Sequence, residues 1–309
     1  MDASAIWLAI LALGAAIING AVGYGFSSIV TPIAVLWYSN KVLNPALVLV
    51  ELVVNVTLLF RERKFVPGTF HRASPVISTL FPGVVLGTVG LTYLAVNDVK
   101  FALYVLLAPL VTLQLLGVAW PIRNEKRGGR AIGPGIGFLY ALTTISGPPL
   151  ALYFRNQGLS KDEFRATIAQ VRVAESSLTL ATYLFFTQFF SANLVTLPSL
   201  GLLPYLFIPV IVGVPLGTLL LRSFSRDFFT RFVMGVDGVI VSYGLSQVLV
   251  KLKWVSSNMG YVVMVVLFAV FAGLTYLALA KLPTLRHTAP ERGAIPVDPP
   301  AESSPPMLS

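Results

Sequence analysis

The sequence lacks cysteine and contains little histidine and little charge. Without cysteine there is no disulfide, no thiol nucleophile and no cysteine-based metal site. The two histidines, His71 and His287, lie in polar stretches, which argues against an intramembrane serine hydrolase and a histidine-rich metal site. No G-x-x-x-x-G-K-[ST] motif occurs, so a P-loop for nucleotide hydrolysis is excluded. Neither an enzyme nor a cofactor is expected.

Only 11% of the 309 residues are charged, whereas 56% are hydrophobic. The mean hydropathy is +0.81. Soluble chains carry about a quarter charged residues, so this chain cannot cover a water-facing surface. We predict an all-α integral membrane protein. The net charge of +9 comes from basic residues between apolar runs, which favours loops facing anionic lipid over a nucleic-acid-binding surface.

Stretches with almost no charge follow one another through the chain, and most match a membrane helix of about 20 residues. They are residues 4–38, 44–60, 75–97, 101–122, 131–154, 166–190, 200–221, 232–250 and 254–280. The last stretch is expected to be an additional transmembrane helix. The Pro-rich tail 281–309 is expected to be disordered and cytoplasmic. No basic region precedes the first stretch, which argues against a cleaved signal peptide.

A repeated hexapeptide indicates that the chain has two related halves. The segment GVVLGT at 83–88 recurs as GVPLGT at 213–218, with five of six residues identical. Each copy lies two apolar segments after a glycine-interrupted segment. Close packing of helices through small residues is an alternative explanation. We predict a first membrane repeat 1–122, a basic cytoplasmic linker 123–130 and a second repeat 131–250, each with about four apolar segments.

The distribution of lysine and arginine predicts how the segments cross the membrane. If 131–154 crosses once, the two sides hold ten and eleven basic residues; if it enters and leaves on one side, they hold 17 and four. Cytoplasmic loops carry the excess, so we predict a re-entrant hairpin at 131–154 and, by symmetry, a broken or re-entrant helix at 4–38. The loops 61–72 and 155–165 would share the cytoplasmic side, and the halves would be inverted. Single crossings with a kink are the alternative.

Both interrupted segments contain residues typical of a helix start. Ser146 precedes Gly147 and two prolines, and Ser27 and Ser28 follow Gly25. Serine caps helix N-termini, and proline is favoured in the first turn. Two helix N-termini are therefore predicted in the middle of the protein, where their partial positive charge and free N–H groups favour an anion. For either break alone, a structural kink is the alternative.

Four charged residues lie within the apolar stretches: Glu51, Arg172, Glu175 and Asp237. A charge at the centre of a membrane helix costs about 2.5–3.5 kcal/mol on insertion scales, so each is a candidate functional residue. Arg172 can pair with Glu175 in its own helix or with Glu51 from the other half, and a purely structural ion pair is an alternative. Asp237 follows Arg231 by six residues and is expected to pair near the membrane edge.

A polar stripe supports these candidates. Helical spacing places Arg165, Arg172, Ser176, Thr179 and Tyr183 on one face, and Glu51 and Asn55 on one face of another helix. No catalytic residue and no metal ligand is predicted. The candidate substrate-binding residues are Tyr24, Gly25, Ser27, Ser28, Glu51, Asn55, Thr143, Thr144, Ser146, Gly147, Arg172, Glu175 and Ser176.

Several segments together resemble the sulfite exporter TauE/SafE family. They are GYGF at 23–26 followed by Pro32, SGPPLALY at 146–153, FRAT at 164–167 and the two hexapeptides. The resemblance covers about residues 10–250. It implies a bacterial-type inner-membrane permease with duplicated four-segment halves that moves sulfite or small organosulfur anions such as sulfonates. The second break has one glycine where relatives often have more, and the segment 254–280 lies outside the family core.

A secondary transporter of a small sulfur-containing anion is the first hypothesis. The two helix starts and the intramembrane arginine all carry positive charge and hydrogen-bond donors, which suit an anion. The anion would lie between the breaks near Arg172, in a multi-pass protein of the inner membrane. A coupling proton or sodium ion is a further candidate partner. A non-transporting membrane scaffold or receptor subunit with structural kinks is the second hypothesis. An intramembrane enzyme is the third, but the sequence offers no nucleophile and base for it.

Overall fold

The structure is a computed structural model and describes residues 3–116, 124–155, 157–190, 194–220 and 226–280. Every regular element in these ranges is a helix, which confirms the predicted all-α class for this part of the chain. The tail 281–309 lies outside the described residues. The helices are α1 Ala3–Val22, α2 Phe26–Ala34, α3 Asn40–Arg61, α4 Val66–Ile77, α5 Leu80–Tyr93, α6 Val96–Leu115, α7 Glu125–Thr143, α8 Gly147–Arg155, α9 Lys161–Phe190, α10 Leu197–Gly201, α11 Leu203–Leu220, α12 Arg226–Lys251 and α13 Ser257–Ala280.

Five helical spans of the described chain are long and apolar enough to cross a membrane. They are Ser4–Ala21, Asn40–Arg61, Val96–Leu115, Ser199–Leu219 and Ser257–Ala280. The last span lies within the segment predicted as an additional transmembrane helix. The chain is therefore a multi-pass membrane protein.

The pair α4 and α5 is a sixth candidate span if it is counted as one helix bent by 52°. The bend lies at Ser78 and Thr79, inside the stretch 75–97 that the sequence presents as continuous. Ser78 Oγ donates to the Pro75 carbonyl at 2.9 Å. Hydroxyl groups that bond to the carbonyls of their own last turn compete with the helix ladder, which explains the bend.

The short helices α2 and α8 turn back alongside the long helices that precede them. Tyr38, shortly after α2, donates its hydroxyl to Ser4 Oγ at the start of α1 (3.2 Å). Tyr153, near the end of α8, donates to the Glu125 carbonyl at the start of α7 (2.7 Å). The pairs α1–α2 and α7–α8 are therefore hairpins, and each hairpin has its helix break at the tip.

Ionic contacts show which helix ends lie together. Arg72 donates to the Gln157 carbonyl at 2.5 Å and lies 3.9 Å from Glu125, and Arg165 lies 3.6 Å from Glu62. We call the end of the bundle that contains these five residues the basic end. The loops that follow α3 and α8 thus lie at the same end of the molecule.

Two lysines lie at the opposite end of the bundle. Lys41 donates to the Thr92 carbonyl at 2.6 Å, and Lys100 donates to the Val35 carbonyl. The hairpin α1–α2 begins and ends here, whereas α7–α8 begins and ends at the basic end. The two hairpins therefore enter the bundle from opposite ends.

Two glycine-lined contacts connect the first half of the chain with the second. Helix α5 packs against α7, and α11 packs against α1. Gly83 lies against the Pro134 backbone and Gly217 against the Ile17 backbone, so closely that a Cβ at either glycine would overlap with a carbonyl group. Both copies of the repeated hexapeptide thus form the same kind of contact with a hairpin of the other half.

Helix α7 begins inside the segment 123–130 that the sequence predicts as a linker. Asn124 is its N-cap and accepts from the Arg127 N–H at 3.0 Å, and Glu125 is the first helical residue. The segment 123–130 is therefore helical from Glu125 onward, because Asn124 and the acidic residue after it form a favourable helix start. The division of the chain into two repeats stays a prediction.

Helix α9 begins with a capping box at the basic end. The Ser160 N–H donates to Glu163 Oε2 (2.8 Å), and the Glu163 N–H donates to Ser160 Oγ (3.3 Å). The bond from the Ser160 N–H holds the pKa of Glu163 below its ordinary value. This motif fixes the start of the helix that carries Arg172 and Glu175.

Candidate functional site

The first helix break consists of Gly23, Tyr24 and Gly25, between α1 and α2. Gly23 and Gly25 have φ angles of 89° and 110°, a left-handed backbone that glycine adopts at little steric cost. Gly25 is the N-cap of α2, and no side chain caps this helix. The prediction that Ser27 and Ser28 cap α2 is wrong, because both lie inside the helix; Ser28 Oγ donates to the Gly25 carbonyl at 3.1 Å.

The second break consists of Thr144, Ile145 and Ser146, between α7 and α8. Thr144 has a φ of 63°, and its Oγ1 lies 2.7 Å from Thr31 Oγ1 in α2. Thr143 Oγ1 accepts from the Ile145 N–H at 3.2 Å, which holds the turn. The bond between the two threonine hydroxyls connects the second break with the first hairpin.

The tips of the two hairpins meet at Gly147. A Cβ at this position would lie 2.9 Å from Tyr24 Cδ2 and 3.2 Å from Arg172 Nη1, so a larger residue would force the tips apart. Arg172 Nη2 also lies 3.5 Å from Ser27 Oγ. The guanidinium group therefore lies beside the first turn of α2 and beside the start of α8.

Arg172 pairs with Glu51. Its Nη2 lies 2.5 Å from Glu51 Oε1, and each side chain is 2% exposed. Of the alternatives that the sequence left open, the pair between the two halves is the one observed. Glu175 Oε2 instead accepts from Ser146 Oγ at 2.6 Å, and Glu175 Oε1 has no hydrogen-bond partner in the described part of the chain.

Tyr140 lies at the centre of the cluster, although the sequence did not single it out. Its hydroxyl donates to Glu51 Oε2 (2.8 Å) and lies 2.7 Å from Ser176 Oγ. Because a tyrosine hydroxyl has one proton, Ser176 is the donor in the second bond. Arg172 Cζ lies 5.8 Å from the ring centroid, within cation–π distance. A tyrosine within an apolar stretch is ordinarily a packing residue, and nothing in its spacing marks it.

Two buried amides support the second break and were also missed. Gln114 Nε2 donates to the Pro148 carbonyl at 2.5 Å, and Asn44 Nδ2 donates to the Leu142 carbonyl at 2.9 Å. A lone polar residue in an otherwise apolar run is a candidate functional residue, and this signal could have identified both Gln114 and Asn44. They satisfy carbonyl groups at the point where the backbone leaves helical form.

Other polar residues of the prediction lie nearby but have different contacts. Asn55 Nδ2 donates to the Glu51 carbonyl one turn earlier in α3 (2.7 Å), and Tyr183 donates to the Ala141 carbonyl. Asp237 is fully buried in α12, and neither carboxyl oxygen has a hydrogen-bond partner within the described residues. The side chain of its expected partner, Arg231, lies outside the described residues.

The charged cluster is closed to its surroundings in this conformation. Counted over the whole residue, backbone included, none of its members is more than 1% exposed: Glu51, Tyr140, Arg172, Glu175 and Ser176. Two carboxyl groups accompany one guanidinium group, so the cluster accepts an additional anion only if a carboxyl group takes up a proton or turns away. A ligand must therefore enter through a change of conformation.

The two helix starts differ in the hydrogen-bond donors that they offer. In the first turn of α2, the N–H groups of residues 26–28 have no acceptor within the helix. In the first turn of α8, Pro148 and Pro149 have no N–H group at all. The donors that we predicted at both helix starts are thus concentrated at α2, beside Arg172.

Broken helices that meet inside a multi-pass helical protein are a feature of secondary transporters. The comparison with known families agrees: residues 8–244 match the family Sulfite exporter TauE/SafE, and the chain belongs to this family. The resemblance expected from the sequence is thereby confirmed. The family indicates a membrane transporter for sulfite or similar anions. The match ends before α13, and no curated protein and no solved structure matches the chain.

Proposed function

We propose that the protein is a secondary transporter that moves sulfite, or a small organosulfur anion such as a sulfonate, across the inner membrane. The observation that carries this proposal is the position of Arg172, whose guanidinium group lies beside both hairpin tips. A charge buried at this depth is costly, so a buried arginine is a candidate functional residue even when it has a partner. Membership of the sulfite exporter family supports the choice of substrate class.

The anion binds between Arg172 and the first turn of α2. A guanidinium group offers two parallel N–H donors that match two oxygens of an oxyanion. Ser27 adds a hydroxyl group 3.5 Å from Arg172 Nη2. The free N–H groups of residues 26–28 and the positive end of the α2 dipole complete the set of donors.

Glu51 competes with the substrate for Arg172. In the closed conformation Glu51 neutralises the guanidinium group at 2.5 Å, in the place that an anion needs. Protonation of Glu51 frees Arg172 without leaving a second buried charge, so we favour a proton over sodium as the coupling ion. Tyr140 remains beside Glu51 as a hydrogen-bond partner during this exchange.

The two halves are inverted relative to each other in this proposal. Three observations support it: the hairpins enter from opposite ends, their tips meet, and each repeated hexapeptide packs on the hairpin of the other half. The basic end is cytoplasmic, because cytoplasmic loops carry the excess of lysine and arginine. Trp254, just before α13, packs against Phe101 at the opposite end (4.9 Å between ring centroids), so α13 leads back to the cytoplasmic side.

The substitution Arg172→Lys tests the proposed site. Lysine keeps the charge but loses the planar pair of donors, so anion binding should weaken more than folding. We expect a melting temperature close to the parent's, no further rise on addition of sulfite, and loss of labelled sulfite transport in liposomes. Arg63→Lys, at an exposed position after α3, is the matched control and should behave like the parent.

Three outcomes contradict the proposal in different ways. An Arg172→Lys protein that binds and transports sulfite at the parent's affinity would remove Arg172 from the site. A folded parent protein that responds to none of sulfite, sulfonates, sulfate and carboxylates would favour the scaffold or receptor hypothesis. Rescue of both folding and transport by joint replacement of Arg172 and Glu51 with methionine would show that the pair is only structural.

A further inference from the structure

A groove separate from the charged cluster lies between α1, α3 and α11. Its cavity volume is about 290 Å³, and most of its walls are apolar side chains such as Val54, Phe207 and Val210. Val53 and Ile211 also line it and are 50% and 69% exposed, so the groove opens on the outer surface of the bundle. We call this cavity the α3–α11 groove. Both α3 and α11 contribute candidate membrane spans, so the opening faces lipid.

One end of the α3–α11 groove is positively charged. Arg61, the last residue of α3, and Arg165, near the start of α9, both line it at the basic end. Arg165 is 8% exposed, and its Nε has no hydrogen-bond partner within the described chain. The acid near Arg165 is Glu62 at 3.6 Å, beyond hydrogen-bond distance. Two guanidinium groups and one carboxylate leave a net positive charge.

The two parts of the groove together indicate an amphiphilic anion. A small oxyanion in contact with the apolar walls would lose hydration without compensation, whereas an acyl chain gains by covering them. Residues 53–61 of α3 extend about 12 Å from the charged end into the apolar part, at a rise of 1.5 Å per residue. Basic pockets between membrane helices on the cytoplasmic side are suited to acidic lipid headgroups.

We propose that the α3–α11 groove binds an acidic phospholipid, with one acyl chain along the apolar walls and the phosphate group at Arg61 and Arg165. The site is distinct from the cluster around Arg172 and does not depend on the proposed transport function. The lipid would also satisfy the unpartnered Nε of Arg165, a polar group that is otherwise costly to bury.

Short-chain phosphatidylglycerol, added to the full-length protein in detergent, tests this site. We expect it to raise the melting temperature in a saturable way, whereas phosphatidylcholine of the same chain length and glycerol phosphate should not. Arg61→Gln and Arg165→Gln should each weaken binding of phosphatidylglycerol by about tenfold or more, since each removes a charge-assisted hydrogen bond. Arg63→Gln removes an exposed charge outside the groove and is the control.

A second pair of variants tests the apolar part independently. Ile211→Trp should fill the groove and weaken binding, whereas Val212→Trp changes the next residue of α11, 52% exposed and outside the groove, and should not. If Arg165→Gln fails to fold, this pair of tryptophan variants still shows whether phosphatidylglycerol binds in the groove. Equal binding of phosphatidylcholine, or no binding of phosphatidylglycerol, would overturn the proposal. Glycerol phosphate binding as tightly as the lipid would assign the groove to free anions instead.

Discussion

In the proposed exchange, Arg172 turns from Glu51 to the anion, and the carboxyl group of Glu51 then needs another hydrogen-bond partner. Tyr140 is this partner, because its hydroxyl bonds to the second oxygen of Glu51, the one that Arg172 does not contact. Ser176, one turn after Arg172 in α9, supports Tyr140 from the other side. The carboxyl group of Glu51 is thus held by Arg172 and Tyr140, and Tyr140 by Ser176. This places α3 between α7 and α9, at the contact between the two halves.

We predict that Tyr140→Phe changes how transport depends on pH. The carboxyl group of Glu51 loses the hydrogen-bond donor that holds it when Arg172 turns to the anion, so transport should weaken and its dependence on pH should change. The unfolding free energy should fall by about 1 kcal/mol. Tyr183→Phe removes an equally buried hydroxyl that bonds to a backbone carbonyl, and it is the control. An unchanged pH profile in Tyr140→Phe would separate Tyr140 from the transport step.

Asp237 gives a second prediction. Asp237 is buried and has no hydrogen-bond partner among the described residues. A buried carboxyl group of this kind is costly, so Asp237→Asn, which keeps the size and removes the charge, should leave the melting temperature unchanged or raise it. Asp98→Asn changes an exposed residue in the first turn of α6 and should lower stability slightly, because it removes a favourable dipole interaction. If Asp237→Asn folds well but no longer transports, Asp237 takes part in transport after all.

The sequence predicts the charged members of the cluster better than the neutral ones. Arg172 and Glu51 are visible because charges are rare in apolar runs, and both breaks are visible because glycine, serine and proline interrupt such runs. Tyr140 and Thr31 are compatible with an ordinary membrane helix, and only tertiary structure brings them to the site. The choice of Glu51 over Glu175 as the partner of Arg172 also depends on how α3 and α9 pack, which spacing within one helix cannot show.

The glycine-lined helices α5 and α11 determine how closely the two halves approach. At Gly217 and Gly83 the neighbouring backbone occupies the space of a side chain, and the same holds for Gly87 against Phe138. Helices that pack through small residues gain van der Waals contact along their whole length, which is a main source of association between helices in lipid. These two contacts hold the long helices that carry the hairpin tips.

We predict that Gly217→Ala destabilises the protein markedly. The added methyl group overlaps with the Ile17 carbonyl, and overpacking of this kind costs about 1–3 kcal/mol or more. Gly14→Ala, in α1 but with no atom within 4 Å of the new Cβ, is the matched control and should be neutral or stabilising by up to about 1 kcal/mol. Melting temperatures of both purified variants measure this. Equal stability of the two would be incompatible with the observed contact between α1 and α11.

The molecule as a whole has two ends that differ in charge, and this asymmetry predicts its orientation in the membrane. The loops after α3 and α8 meet at the basic end, whereas Lys41 and Lys100 lie at the other. Seventeen lysine and arginine residues in loops and tail fall on the predicted cytoplasmic side and four on the other. Such a bias orients a membrane protein during insertion.

Cysteine labelling in intact cells tests the orientation without background, because the chain has no native cysteine. We predict that Ser160→Cys and Lys64→Cys are protected from a membrane-impermeant maleimide and that Asp98→Cys is labelled. All three positions are exposed in the structure. Labelling of Lys64→Cys but not of Ser160→Cys would place the ends of α3 and α8 on different sides and would exclude the hairpin α7–α8.

The contact between α1 and α11 has a consequence for biosynthesis. Helix α11 begins about 180 residues after α1 ends, so a ribosome adding roughly 5–20 residues per second needs about 10–40 s to deliver it. During this interval the surface of α1 that later receives Gly213 and Gly217 has no partner from its own chain. Until then, lipid or the insertion machinery must cover this surface of the first hairpin. Its packing is complete only after the second half has been synthesised and inserted.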